Sequence, residues 1–272
     1  MVRGARLLAT DGALLRVAAL PTLLTLLGSA ALAAALATRR EGRYLDGLFT
    51  LFVAISSMPP TILWRQWLRV GLEARRALGA PPGEEEHLGE SYPRVLAREG
   101  VKAARQAAIV AVGLFPVVVV VELLPFVGHG VTVAVGAAWA WYWVVLDALE
   151  IPVELQPGKL DEGPPTWFER GLVTAGRRSR WLFLLGLAGR IAGGLARPWR
   201  NEAAFTERHR WKIAGFAVAA VIFLAMPVVG VFFRAVAITA ATILVVRLDG
   251  GTGGGEPPGE VAGRGEGPSP VA

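Results

Sequence analysis

Long apolar runs alternate along the chain with short charged segments. The first run without a charged residue extends from Val17 to Thr38, and a helix of these 22 residues rises roughly 33 Å. That length crosses the roughly 30 Å hydrocarbon core of a bilayer. A second uncharged run of 18 residues extends from Gly47 to Trp64, and Pro59 and Pro60 predict a kink near its end. The pattern predicts a transmembrane helix in each run.

Two sharp turns interrupt the later apolar sequence without an ordinary polar loop. LLPFVGHG at 123–130 contains Pro125 and Gly128, and AMPVVG at 225–230 contains Pro227 and Gly230, each in a Pro-x-Val-Gly turn. The uncharged arms around the first turn have 15 and 17 residues, roughly 22 and 25 Å as helices. These arms are shorter than the hydrocarbon core. We predict two helical hairpins with these residues at their tips, which either cross the bilayer or penetrate it partway.

The remaining segments mix charged and apolar residues. Residues 61–79 and 181–199 place arginines among leucine, tryptophan and glycine, which predicts amphipathic helices at the membrane surface. WAWYW at 139–143 is typical of an interfacial aromatic belt. The end of the chain is rich in Gly, Pro and Glu and is predicted to be disordered. The predicted fold class is all-α, with one helical membrane domain at 1–248 and a tail at 249–272.

Composition and charge agree with a membrane protein. The chain is 53% hydrophobic, and its net charge of +6 comes from 28 basic and 22 acidic residues. These charges lie between the apolar runs, which indicates membrane topology and no nucleic-acid partner. If both hairpins return to one side, 24 basic residues lie on that side, three lie in the loop at 39–43, and Arg234 lies in the membrane. The positive-inside rule then places both termini in the cytoplasm of a bacterium, with the protein in its inner membrane.

The sequence contains no pattern for catalysis or metal binding. It has no cysteine, which excludes disulfides and thiolate metal sites. His87, His129 and His209 lack the spacing of a zinc site. No HExxH motif, phosphate loop or Ser-His-acid arrangement is present. We expect no cofactor, no metal and no enzymatic activity, and the lipid bilayer as the main partner.

Five charged residues are candidates for a role beside or within the membrane. Arg16 precedes the first apolar run, where its guanidinium either binds an oxyanion or anchors the helix at lipid phosphates. Arg39 and Arg40 either attract anions at the opposite mouth or only flank a helix. Glu122 and Arg234 lie at similar distances from the two hairpin tips. They form an ion pair if the hairpins pack as related units, and reach the headgroups if the hairpins are shallow.

Several local motifs occur in an order that resembles a known family. LLRVAALPTLLTLL at 14–27 is similar to an arginine-containing entry to a first helix with an LPLL signature. LEARRALGAPP at 72–82 and YPRVLAREGVK at 92–102 are similar to segments after a second helix and before a third. LLPFVG, then EIP at 150–152, then WFERGLVTAGRR at 167–178 complete the order. Together these segments resemble the CysZ sulfate-permease family and its eukaryotic etoposide-induced relatives.

The resemblance implies two transmembrane helices, two hairpins that penetrate the bilayer partway, and sulfate transport. In that family paired arginines before LPLL are associated with sulfate binding, whereas here the matching positions are Leu15 and Arg16 and the signature reads LPTL. An apparent insertion covers residues 185–210. We expect a sulfate or oxyanion permease or channel with an altered anion motif that forms a homo-oligomer. The alternative is a non-transporting scaffold or membrane-shaping protein that acts through shallow hairpins and the basic stretch at 170–212.

Overall fold

The computed structural model describes residues 1–37, 63–81, 83, 89, 91–122, 128–156, 163–178, 183–224 and 226–249. All regular secondary structure in these ranges is helical, which confirms the predicted all-α class. Most of the second uncharged run, together with Arg39, Arg40, Pro125 and residues 250–272 of the predicted tail, lies outside the described residues.

Eleven α-helices form in the described ranges. They are α1 (Val2–Thr10), α2 (Gly12–Ala37), α3 (Trp64–Ala77), α4 (Tyr92–Ile109), α5 (Phe115–Glu122), α6 (Gly128–Glu154), α7 (Trp167–Arg178), α8 (Phe183–Leu195), α9 (Arg200–Arg208), α10 (Arg210–Leu224) and α11 (Pro227–Asp249). A π-helical turn at Val110–Leu114 joins α4 to α5, and a 3-10 turn at Arg197–Trp199 precedes α9. Helices α4, α5 and α6 form the first hairpin, and α10 and α11 form the second.

Four segments are long and apolar enough to cross a membrane, which indicates a membrane-embedded, multi-pass protein. They are Gly12–Ala35, Tyr92–Val119, Gly128–Glu154 and Val229–Leu248. The first coincides with the predicted first transmembrane helix. The predicted arm length of roughly 25 Å is wrong for α6, because the helix continues past Asp147 and its 27 residues rise roughly 40 Å. By contrast, α10 has 15 residues and rises only roughly 22 Å.

Close backbone contacts explain the glycine in each of the two turns. A Cβ atom on Gly128 would lie 2.7 Å from the carbonyl oxygen of Val121, and one on Gly230 would lie 2.8 Å from that of Leu224. Any larger residue would push the paired helices apart at the turn. Pro227 begins α11, where its missing amide hydrogen leaves no helical hydrogen bond unmade.

The two hairpins are displaced relative to each other along the bundle axis. Asp147 on α6 lies 3.7 Å from Arg234 on α11, and one turn further along both helices Ile151 and Ile238 pack around Gly71 of α3. In both contacts the α6 residue is 12 positions further from its helix start than the α11 residue. At about 1.5 Å per residue, the turn of the first hairpin extends roughly 18 Å beyond that of the second.

The aromatic segment at 139–143 is mainly part of the interior. Trp139 and Trp143 are buried in a cluster with Phe168 and Trp199, whereas Trp141 is exposed. The ring centroids of Trp143 and Trp199 are 5.2 Å apart in an edge-to-face arrangement. The expected interfacial belt is corrected accordingly, because these rings join α6 to the helices that follow it.

The region of the apparent insertion is helical and packed against the rest of the chain. Helix α8 packs closely against α7. A Cβ atom on Gly186 of α8 would lie only 3.2 Å from the Cα of Gly176 on α7. The 13 residues of α8 are too few to span a bilayer, as expected for an interfacial helix. Helix α9 contacts α6. The predicted insertion thus contributes to the core, where Ala196 and Ala203 are fully buried.

Candidate functional site

Two small cavities with charged lining lie beside α6. The first lies between α3, α4, α6, α10 and α11, and the second lies between α4, α6 and the 3-10 turn before α9. Their volumes are ≈ 40 Å³ and ≈ 50 Å³, and Glu99, Asp147 and Glu150 line both. The first cavity is also lined by Trp64, Ala148, Ile151, Leu224, Arg234, Ala237 and Ile238. The second is also lined by Lys102, Ala103, Gln106, Trp143 and Trp199. Charged side chains therefore converge between helices whose other residues are largely apolar.

Lys102 on α4 is held by carboxylates on two helices. Its Nζ donates a hydrogen bond to Oε1 of Glu150 on α6 at 2.6 Å and lies 3.5 Å from Oε1 of Glu99, one turn earlier on α4. The same ammonium group lies 5.2 Å from the ring centroid of Trp64. Because its charge is already neutralised and its position fixed, Lys102 acts as a link between helices α3, α4 and α6.

Arg234 on α11 is much less engaged. Its Nη2 lies 3.7 Å from Oδ2 of Asp147, beyond hydrogen-bond distance, and its side chain is 21% exposed. Among the described residues its guanidinium donates no hydrogen bond. A partly buried guanidinium carries five N–H donors in a planar fork that matches an oxyanion. The first cavity is therefore lined by a cation with donors available to a solute.

Glu122 and Arg234 do not form an ion pair, which was one of the two alternatives for these charges. Glu122 lies beside the first turn, where Oε1 is 3.7 Å from Nδ1 of His129, and both side chains are well exposed. Arg234 lies at the level of Asp147, 19 residues or roughly 28 Å along α6 from Gly128. The displacement of the hairpins separates the two charges. Their similar sequence distances from the two turns did not predict this separation.

The other predicted residues lie apart from the cavities. Arg16 is exposed on α2 and lines neither of them, and Arg39 and Arg40 lie outside the described residues. Gly128 and Gly230 shape the turns and contribute no side chain.

A second buried ion pair lies outside these cavities and is structural. Oε2 of Glu169 accepts a hydrogen bond from Nη2 of Arg200 at 2.9 Å. Thr166 and Glu169 also form a capping box at the start of α7, in which the backbone N–H of Thr166 donates to Oε1 of Glu169 at 3.2 Å and the backbone N–H of Glu169 donates to Oγ1 of Thr166 at 3.5 Å. Glu207 of α9 forms an ion pair with Arg170 of α7. Part of the positive charge at 170–212 is thus neutralised within the fold.

Glu99, Lys102 and Glu150 were not identified as candidates from the sequence. Two local signals point to them: Glu99 and Lys102 are three residues apart on α4, and Asp147, Glu150 and Glu154 follow one face of α6 at intervals of three and four. These spacings do not show that the charged face of α4 packs against that of α6, because Lys102 and Glu150 are 48 positions apart.

Neither metal chemistry nor known proteins add a further assignment to this site. Within the described ranges, no three His, Cys, Asp or Glu side chains are arranged to hold a metal ion. No family model, curated protein or solved structure matches the chain.

Proposed function

We propose that the protein is a membrane permease or channel for a small oxyanion, with Arg234 as the anion contact. The observation that supports this most directly is the guanidinium of Arg234, which lines a cavity between candidate membrane helices and donates no hydrogen bond to described residues. Charged groups placed among membrane helices are costly unless they serve a polar pathway or a binding site. An anion at this cavity satisfies the donors that the fold leaves free.

Asp147 gives this site a means of releasing the anion. Its side chain is 41% exposed, and its carboxylate lies opposite the guanidinium at 3.7 Å. An arriving oxyanion competes with Asp147 for Arg234, and the return of the carboxylate favours departure of the anion. Binding that is weak enough to reverse is a requirement for conduction. Lys102 has no such role, because Glu150 already holds its ammonium group.

The cavity lies toward one end of the proposed crossing. If the turn at Gly128 reaches the outer surface, Asp147 lies roughly 28 Å below it, close to the inner edge of the hydrocarbon core. We propose that this end faces the bacterial cytoplasm, as do both termini. Arg16 and the pair Arg39 and Arg40 remain proposed contacts nearer the two mouths. The resemblance to CysZ in motif order supports sulfate as the first anion to test, and a homo-oligomer as the assembly.

Uptake of labelled sulfate by proteoliposomes tests this function. We expect uptake above that of empty vesicles, and a decrease of about tenfold or more in Arg234→Gln, because a hydrogen bond to a charged group contributes about 1.5–3 kcal/mol. Arg94→Gln is the matched control, since Arg94 is exposed on α4, lines neither cavity and should leave uptake unchanged. Equal elution profiles in detergent show that the variants are folded.

Uptake no greater than in empty vesicles, across sulfate and several other oxyanions, contradicts the permease proposal. The second candidate is then the non-transporting membrane-shaping protein, which one observation favours. Helix α8 exposes an apolar face with Phe183 at 60%, Leu184 at 61% and Leu187 at 46% exposure, although the helix is too short to span. A short helix with such a face inserts into one leaflet. Vesicles whose shape changes with protein content, but which take up no oxyanion, support this candidate.

A further inference from the structure

An open groove lies between α1, the start of α10 and the end of α11. Its volume is ≈ 430 Å³. Phe216 and Ile243 form part of an apolar floor and are only 6% and 7% exposed. Arg3, Lys212 and Arg247 also line it, and all three are exposed. We call this feature the basic groove.

The three cations of the basic groove are not compensated by the part of the fold that the structure describes. No acidic side chain among the described residues lines the groove. Among the residues that the structure describes, neither Arg3, Lys212 nor Arg247 forms an ion pair. Three like charges around one concave surface repel each other, and an anionic ligand removes that repulsion. The electrostatics of the groove therefore favour an anion.

The side of the groove that carries Arg3 is fixed by packing. Helix α1 lies directly on α11, where a Cβ atom on Gly4 would be 2.7 Å from the Cβ of Ala240 and 2.8 Å from its backbone nitrogen. This close approach requires glycine, and it places Arg3 beside the groove. The groove is thus a preformed feature of packed helices.

The surroundings of the groove match the surface of a membrane. The outward face of α10 exposes Val218 and Ile222, at 43% and 52%. The highly exposed Trp211 and the neighbouring Lys212 lie at the start of this helix. Tryptophan and lysine at the end of an apolar helix are typical of the headgroup level. Phe216 lies one helical turn from Lys212 on α10, so a cation and part of the apolar floor meet near this end of the helix.

We propose that the basic groove binds an anionic phospholipid, with the lipid phosphate at Arg3, Lys212 and Arg247 and the acyl chains against Phe216 and Ile243. Basic pockets between membrane helices recognise anionic headgroups through charge and hydrogen bonds. A free phosphate ion uses the cations but leaves the apolar floor in contact with water, so a lipid fits both halves of the groove. The site is separate from the cavity at Arg234 and does not depend on the permease proposal.

Native mass spectrometry of the full chain in detergent tests this site. The protein is titrated with phosphatidylglycerol, which is anionic, or with phosphatidylcholine, which is not. We expect retention of phosphatidylglycerol in preference to phosphatidylcholine. The triple variant Arg3→Gln, Lys212→Gln, Arg247→Gln should bind phosphatidylglycerol about tenfold or more weakly, with phosphatidylcholine unaffected. These three side chains are exposed, so their replacement leaves the core intact.

The matched control is Arg6→Gln, Arg94→Gln, Arg208→Gln, which removes the same charge from exposed positions outside the groove. It should bind phosphatidylglycerol as the unchanged protein does. Equal loss of binding in both triple variants, or undiminished binding in the groove variant, overturns the proposal. Displacement of the lipid by soluble glycerol phosphate at equal concentration also overturns it, in favour of a free anion. The preference of the unchanged protein between the two lipids requires no variant, and its absence contradicts the site as well.

Discussion

At the scale of single residues, the ammonium group of Lys102 is the most consequential charge in the described interior. Lys102→Met keeps the length of the side chain but leaves Glu150, whose side chain is 12% exposed, without its cation. Removing one partner of a buried ion pair costs about 3–5 kcal/mol. We expect a clear decrease in the free energy of unfolding, measured by denaturant titration in detergent.

The double variant Lys102→Met, Glu150→Leu separates this charge effect from a simple loss of packing. Because apolar replacement of a whole buried pair is often neutral, it should recover most of the lost stability. A double variant as unstable as the single one contradicts this account. The sequence predicts that Lys102 and Glu150 lie on helices, but their spacing carries no information on which helices meet. That part of the site comes from packing between distant segments.

At the scale of elements, several glycines of α8 allow its close contact with α7, and Gly193 is the one that lies against a buried ion pair. A Cβ atom on Gly193 would lie 2.5 Å from Oε2 of Glu169, the oxygen that accepts the hydrogen bond from Arg200. Gly193→Ala therefore displaces the carboxylate, and we expect a loss of about 1–3 kcal/mol of stability, typical of overpacking. Thermal unfolding in detergent measures it.

Gly194→Ala is the control at the adjacent position of α8. A Cβ atom there meets nothing within 4 Å, so the substitution should stabilise the helix by about 0.5–1 kcal/mol. Similar unfolding temperatures for the two variants contradict the specific contact at Gly193.

Apolar runs predicted where most of these helices lie, but not where they end. Helix α6 continues through Asp147 and Glu150, because Arg234 and Lys102 on neighbouring helices accompany the charges. In the sequence, a charged residue marks the end of an apolar run. In the fold, an oppositely charged partner on another helix allows the helix to continue past that residue. The predicted arms of the first hairpin were too short for this reason.

At the scale of the whole molecule, the two Pro-x-Val-Gly turns are locally alike but lie at different heights. Their similar sequence predicts two hairpins, and each glycine meets the end of the preceding helix in the same way. Their relative height follows from contacts between α6 and α11, which place the second turn roughly 18 Å short of the first. We infer that the first hairpin crosses the bilayer, and that the second, with only 15 residues in α10, penetrates partway.

Single-cysteine labelling tests this difference, because the chain has no cysteine of its own. Ser91, Gly130 and Met226 are all exposed positions, at the start of α4, beside the first turn and beside the second turn. In intact cells an impermeant reagent should label Gly130→Cys from outside and Ser91→Cys only after the inner side is opened. Met226→Cys should resist labelling from either side, since roughly 12 Å of a 30 Å core would cover it from within. Labelling of all three in detergent shows that each thiol is reactive, and labelling of Met226→Cys from outside as fast as Gly130→Cys shows instead that both hairpins cross.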